Sequence, residues 1–527
     1  MPFPRRRRIL GLAILLVWLV TLGLHVRRTY FRPVAERLEL GARRLAPGVQ
    51  FFGIRMNGRT IGVASSRLDT VRTGFVFDDM MSLDVPALDT FSTAVARTRV
   101  ELTHGLELRS LAFVLESSVG NFDVRGTMRP DSLLELEIRA GGRPQKSMVR
   151  LDPGVTMDAA LPLRLAAAGR LRRGEEIRAP LFDPSVLATR EAVVRVTAES
   201  TLVVPDSAAY DAATARYRVA RSDTVQAWRV EERLGGVAVV SWVDVDGRIV
   251  RAESPMGFSI ERTAYELARQ DWLDTRRDKG LAAGYGPLVG STAIASNVEL
   301  ADVARTSQLR VRLEGVELAG FDLRGGRQSL AGDTLTVRQE TGAALRADYA
   351  LPWRPTAAAA GGVAGRSADL PRPADLEPTP LIQSGDPEIV HRARHIAGDA
   401  TDPTLVAGRL NGWVYAMLRK EITPSVPSAI EVLHAGKGDC NEHTVLYVAL
   451  ARSLGLPART AAGLVYLRGH FYYHAWPEVW LGRWVAVDPT LGQFPADASH
   501  LRFVTGELAR QLDLIRLIGR LRLDVQP

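Results

Sequence analysis

The chain is 527 residues long, 46% hydrophobic and 24% charged, which is ordinary globular composition with room for about three domains. One cysteine excludes an internal disulfide framework and any zinc site built on paired cysteines. The net charge of +8 is carried mostly by arginine, without a basic stripe interleaved with aromatics. This reads as solvated surface attracted to anionic lipid and argues against a nucleic-acid partner.

The sequence opens MPFPRRRR and continues into the apolar run Ile9–Leu24, which His25 and Val26 extend to about eighteen residues, enough to span a hydrocarbon core. A cleaved signal peptide is the competing reading. Its apolar stretch is shorter and leads into small residues, whereas this one meets His25, Arg27 and Arg28. The reading adopted is a cytoplasmic basic tip at 1–8 and an uncleaved single-pass transmembrane anchor at 9–26, with Arg5–Arg8 holding that end inside. The remaining bulk is then extracytoplasmic, in a periplasmic space, where an unpaired thiol suggests a reactive group.

Residues 48–350 read as a β-rich region. FFGIRMNGRTIGVASSRL forms two alternating strands around Asn57-Gly58, a strong hairpin signal. The strand-turn-strand theme recurs in ELTHGLELRSLAFVLES, in LLELEIRAGGRPQKSMVRL and, around Asp246-Gly247, in VAVVSWVDVDGRIVRAES. A helix is expected at the end of Pro255–Arg269 before strands return in SQLRVRLEGVELAGF. Together these predict a large, curved, mainly antiparallel sheet or half-barrel, divided near residue 160 or 275. Its architecture resembles the half-barrels of periplasmic lipoprotein carriers. No glycine-rich phosphate loop or catalytic constellation occurs there. The Ala/Gly/Pro-rich stretch at 351–382 reads as a linker, and 383–527 as a separate α+β domain entered through the helical pattern of EIVHRARHIAG and TLVAGRLNGWVYAMLRKEI.

That last region holds the cysteine. Cys440 follows Gly436, Gly438 and Asp439 and opens a helix expected over Asn441–Leu454, with Val445, Val448, Ala449 and Leu450 as an apolar stripe and Gly455 and Pro457 as its stop. A thiol in a first helical turn feels the positive dipole end and unpaired N–H groups. These favour thiolate and offer an oxyanion site.

Phe471–Trp480 and Trp484–Asp488 follow as an aromatic, β-branched hairpin. If Leu481, Gly482 and Arg483 all form the loop, Trp480 faces Trp484, and His474 shares a face with Asp488 one diagonal step away. A two-residue loop would put them on opposite faces. On the first register, Cys440, His474 and Asp488 are nucleophile, base and orienter. His474 takes the thiol proton and returns it to a leaving amine, and Asp488 holds the ring tautomer.

GDCNEHTVLYVALARSLGLPAR, GLVYLRGHFYYHAWPEVWLGRWVAVDPT and, upstream, LNGWVYAMLRKEI with SAIEVLHAGKGDC resemble the transglutaminase-like superfamily over roughly residues 385–500. The resemblance implies a papain-like α+β fold and places Cys440, His474 and Asp488 in the catalytic roles. It also implies chemistry at amide bonds: crosslinking, amide hydrolysis, peptidolysis or, in inactive members, a scaffold.

The plainer readings are an inert buried Cys440 and a metal site on Cys440 and His443 with His434 or His470, which the lack of a second cysteine disfavours. His443 is expected on the helix surface or hydrogen-bonded, and His470 in a loop or at an edge. Trp413 is an oxyanion candidate whose plainer reading is a core aromatic; Trp476, Trp480 and Trp484 are expected in the core or in groove walls, and Glu478 in a structural role with tuning of the site as its alternative. The function expected is a membrane-anchored thiol enzyme acting on a protein or peptide substrate through a thioester at Cys440, hydrolysis favoured, with no cofactor and no metal. The alternative is a non-catalytic scaffold whose β region recognises an envelope partner.

Overall fold

A computed structural model describes residues 34–56, 58–87, 90–152, 154–234, 237–254, 257–277, 293–341, 345–354, 370–506 and 508–526. The apolar run at 9–26 lies outside them. No helix among the described residues is long and apolar enough to cross a membrane.

The fold is mixed α+β. Successive hairpins build two antiparallel series, from Gly48–Met56 to Gln145–Arg150 and from Thr156–Met157 to Phe258–Arg262. They merge into one 15-stranded sheet where Gly48–Met56 pairs with Phe258–Arg262, Ile54 opposite Ile260. Among the described strands of this sheet, Thr156–Met157 alone runs parallel to its neighbour, Glu176–Asp183. The Asn57-Gly58 signal gives the tight turn it implies: Met56 pairs with Arg59, and Gly58 takes φ +81°, a conformation glycine adopts without a Cβ clash.

Period-two alternation decides which face is buried. Leu134, Leu136 and Ile138 pack with Phe77, Leu102, Phe122 and Val124 beneath the short helix Leu161–Ala167. Glu135, Glu137 and Arg139 face the other way, in exposed ion pairs of little net worth such as Arg129–Glu135. Helix Tyr265–Arg277 lies elsewhere on the sheet, tied down by Trp272 Nε1, which donates to the buried Asp84 carboxylate at 2.8 Å. A cavity of about 280 Å³ lies in this region, walled by Phe52, Leu68, Phe77, Met81, Phe113 and Leu163.

The C-terminal region is organised around helix Cys440–Ser453. Three helices surround it: Pro387–Ala397, Pro403–Met417 and Ala429–Ala435. The first two start alike, with an Asp-Pro pair whose aspartate (Asp386 or Asp402) accepts a hydrogen bond from an N–H of the first turn. The apolar stripe predicted for the Cys440 helix understates its setting. Glu442 through Arg452 are all buried, so it is a central helix enclosed by neighbours. One sheet runs Ile294–Ala295, His470–Trp480, Ala458–Leu467, Leu501–Thr505, with Trp484–Ala486 also on His470–Trp480.

Pairing crosses the expected linker. Ile294 and Ala295 pair with Phe471 and His470, and Gln308–Glu314 pairs with Arg522–Gln526 at the end of the described chain. Leu309, Val311, Leu335 and Val337 share a core with Leu464, Phe471, Leu501, Phe503 and Val525. Strands that the sequence groups with the β-rich region therefore complete the C-terminal one, because their apolar faces find cover there. The large sheet itself touches this region at Ala140, whose carbonyl accepts from Gln383 Nε2 (3.0 Å) and Ser428 Oγ (2.6 Å), and at Asn121, whose N–H donates to Glu431.

Candidate active site

Asp439 caps the Cys440 helix. Its carboxylate accepts from the Asn441 N–H at 2.8 Å, and Glu442 Oε2 accepts from the Asp439 N–H at 2.9 Å, completing a reciprocal capping box. The Asp439 carbonyl takes the N–H and the Nδ1–H of His443. The amides of Asn441, Glu442 and His443, expected to be open to an oxyanion, are thus engaged by Asp439. Of the two settings expected for His443 the hydrogen-bonded one holds; the ring is fully buried, and burial pushes its pKa down.

The sulfur of Cys440 is half-buried and hydrogen-bonded by the backbone N–H of Ala475, the residue after His474. Cys440 and His474 line one cleft of about 200 Å³ together with Asn441 and Tyr473, and Leu514, Ile515 and Ile518 form an apolar wall. The thiol differs from the sequence expectation. Burial, reinforced by the negative charge of Asp439, pushes its pKa well up, and the Ala475 N–H offsets this only in part. Ionisation therefore calls for a proton acceptor at hand.

The hairpin takes the three-residue loop. Trp480 pairs with Trp484 and Glu478 with Ala486, and His474 and Asp488 lie on one face. His474 Nε2 donates to Asp488 Oδ2 at 2.7 Å. Close approach of strands holds this geometry: Gly463 pairs with His474, and a Cβ there would lie 1.9 Å from the Leu501 carbonyl oxygen. Glu478, on the same strand, is buried and bonded to Arg459 and Arg502. Burial would raise its pKa, but the two guanidiniums outweigh that and hold it below the usual range. Trp476 and Trp484 are buried core aromatics, and Trp413 is partly buried beside Arg392. His470 is the exposed first residue of its strand but pairs on both sides, with Ala295 and Leu467, and so is in neither a loop nor an edge, and His434 pairs with Glu388 on the surface.

Sequence reasoning missed His500. It is fully buried, with Nε2 3.0 Å from Asp488 Oδ2 and Nδ1 3.1 Å from Asp497 Oδ1. Asp488 thus accepts four hydrogen bonds: His474 and His500 on Oδ2, the Thr490 and Leu491 amides on Oδ1. Burial alone would raise its pKa, but the two imidazoles hold it far below the carboxylate range. The signal available was DASH at 497–500, an Asx turn in which Asp497 Oδ1 accepts from the Ser499 N–H and hydroxyl.

The ligand atoms of His474, Asp488 and His500 lie within 4.8 Å of one another, a spacing a metal ion would accept. In the structure both rings hydrogen-bond the Asp488 carboxylate. Cys440 and His443 share one helix, whereas His434 lies on the surface of another and His470 at the start of a strand.

Residues 390–489 match the family model of the transglutaminase-like superfamily. The C-terminal region carries a transglutaminase-like domain. Cys440, His474 and Asp488 fall inside the matched span of this domain, whereas Asp497 and His500 lie beyond it. No curated protein matches the chain. Among solved structures, it is similar to a candidate cysteine protease from Cytophaga hutchinsonii, at 14% identity over 42% of this chain and 86% of that one, TM-score 0.26. It is also similar to the periplasmic domain of TgpA from Pseudomonas aeruginosa bound to ethylmercury, at 14% identity over 37% of this chain and 94% of that one, TM-score 0.19. At these scores neither adds to the argument from the site.

Proposed function

We propose that the transglutaminase-like domain is a thiol enzyme acting on amide bonds of a protein or peptide through an acyl-Cys440 thioester. The supporting observation is the convergence of one cleft-lining cysteine with a His474 ring whose Nε2 is held by Asp488. Nδ1 is then the ring nitrogen left to receive the thiol proton. The sulfur attacks the substrate carbonyl carbon, and the C–N bond breaks as His474 returns the proton to the leaving amine. Water or a second amine then releases the acyl group. The raised thiol pKa assigns proton transfer to the moment of attack.

Hydrolysis is the preferred outcome, since no dedicated amine-acceptor site stands out among the described residues. Leu514, Ile515 and Ile518 favour an apolar substrate side chain beside the scissile bond. Asn441 and Tyr473 line the same cleft, and their Oδ1 and Oη atoms are buried without a protein partner. The chain is proposed to work outside the cytoplasm, held by the run at 9–26. The experiment is mass spectrometry of the full chain incubated with apolar peptides, with and without an added alkyl amine. A mass increase on Cys440 that water discharges supports the reading. Absence of any adduct or cleavage across a peptide library would leave the scaffold reading in its place.

The runner-up rests on the cavity walled by Phe52, Leu68, Phe77 and Phe113 in the large sheet, which suits an apolar partner segment. On that reading, the β region binds an envelope partner and the thiol is idle.

A further inference from the structure

A neutral imidazole has one N–H, yet both ring nitrogens of His500 face carboxylate oxygens, Asp488 Oδ2 at 3.0 Å and Asp497 Oδ1 at 3.1 Å. Two acceptors demand two donors. Neither carboxylate is short of partners that require it ionised: Asp488 also takes His474 and two amides, and Asp497 takes the Ser499 amide and hydroxyl and Gln493 Nε2. The buried arrangement that satisfies every atom is carboxylate, imidazolium, carboxylate. We infer that His500 is a positively charged positioning residue that shares the Asp488 carboxylate with His474 and so sets the pH range over which the Cys440–His474 pair works.

His500 acts through Asp488 and does not touch the cleft. Its ring lies 5.9 Å from that of His474, edge to face, and 5.1 Å from Trp476, which in turn stacks on His474. The charged and titratable groups around it are Asp488, Asp497 and His474. Beyond them lies Arg327, whose guanidinium donates to the carbonyls of Ala496 and Asp497 and pairs with Glu340. An Asp488 bound only to His474 would lend its whole charge to that one ring. With His500 beside it, part of that charge is answered already. Burial works against a charged His500, but its bonds to Asp488 and Asp497 outweigh it and raise its pKa.

The inference rests on the thiol-enzyme reading, and its test separates the two. The rate of Cys440 alkylation by iodoacetamide is measured against pH in the full chain, in His500→Gln and in His474→Ala. Removing a positive charge about 6 Å from His474 raises the pKa of both members of the pair, whichever is protonated. Both limbs of the profile therefore move to higher pH in His500→Gln, by about one unit or more. Limbs that stay in place in a folded variant overturn the inference and leave the thiol-enzyme reading standing. Alkylation that is the same in His474→Ala as in the natural protein overturns both. If His500→Gln does not fold, ¹⁵N-histidine spectra of the natural protein decide. Two protonated ring nitrogens on His500 at pH 7.5, above the free value of about 6.5, support the inference, and one overturns it.

Discussion

Trp480 stands opposite Trp484 across a three-residue loop, their rings edge to face at 5.6 Å. This register fixes the parity of the strand that follows. Because side chains alternate with period two, it puts Asp488 on the face of His474 and within hydrogen-bonding reach. One residue fewer in the loop would have sent the carboxylate to the other side of the sheet.

Asp488→Asn tests that carboxylate. An amide presents N–H groups to donors that now point at oxygen, in a site with no exposure. The variant is expected to lose about 2–4 kcal/mol of stability, as well as most of the His474-dependent reactivity of Cys440. Denaturant unfolding and alkylation rates measure the two separately. Unchanged stability would mean that Asp488 is less tightly bound than its four hydrogen bonds imply.

Cys440 is expected to alkylate in a His474-dependent manner, since burial opposes spontaneous ionisation. His474→Ala should slow iodoacetamide labelling about tenfold or more near neutral pH, and Cys440→Ser should lower turnover by about 10³-fold or more. Cys440→Ala should change stability little. Fast labelling in His474→Ala would show a thiolate stabilised by something other than the imidazole.

Glu478→Gln separates support from chemistry. Glu478 is buried against Arg459 and Arg502, and neutralising it leaves two guanidiniums facing an amide. A loss of about 3 kcal/mol is expected, with the pH limbs of Cys440 alkylation unmoved. A shifted profile would give Glu478 a part in tuning the site.

Stability should fall at both ends of the pH scale, for opposite reasons. Asp488, Asp497 and Glu478 have depressed pKa values in the folded state, so their contribution is present above the free carboxylate value of about 4 and is lost as pH drops below it. His500 has a raised pKa when folded. Its contribution is complete below the free value of about 6.5 and disappears as pH rises through the folded one. Thermal melts from pH 3 to 10 should show an alkaline decline that His500→Gln makes shallower, with the raised groups Asp79, Glu232 and Cys440 supplying the rest. A decline that persists unchanged in that variant would assign it elsewhere.

A fragment beginning near residue 383 lacks the partners of Arg522–Gln526 and the residues covering Phe471 and Phe503. It is expected to be insoluble or to melt without cooperativity, whereas one beginning near residue 293 melts cooperatively. Calorimetry of the two fragments checks this. A cooperative melt of the shorter one would make the cross-linker strands dispensable.

Local signals determined a good deal. Asn57-Gly58 marked its turn, Gly436, Gly438 and Asp439 the turn into the Cys440 helix, and the lone cysteine with its downstream histidine and aspartate the residues that meet. Each depends on neighbours a few positions away, through turn conformation, capping or strand parity. What only the tertiary structure decided depends on segments far apart in sequence. Gln308–Glu314 pairs with Arg522–Gln526 because their apolar faces share one core. The Cys440 thiol is pushed up because the helix that presents it is enclosed, a burial that residue order does not encode. His500 reads as one polar residue before a strand. Its charge exists only because folding seats it between Asp488 and Asp497, away from water, where two carboxylates leave the ring no neutral alternative.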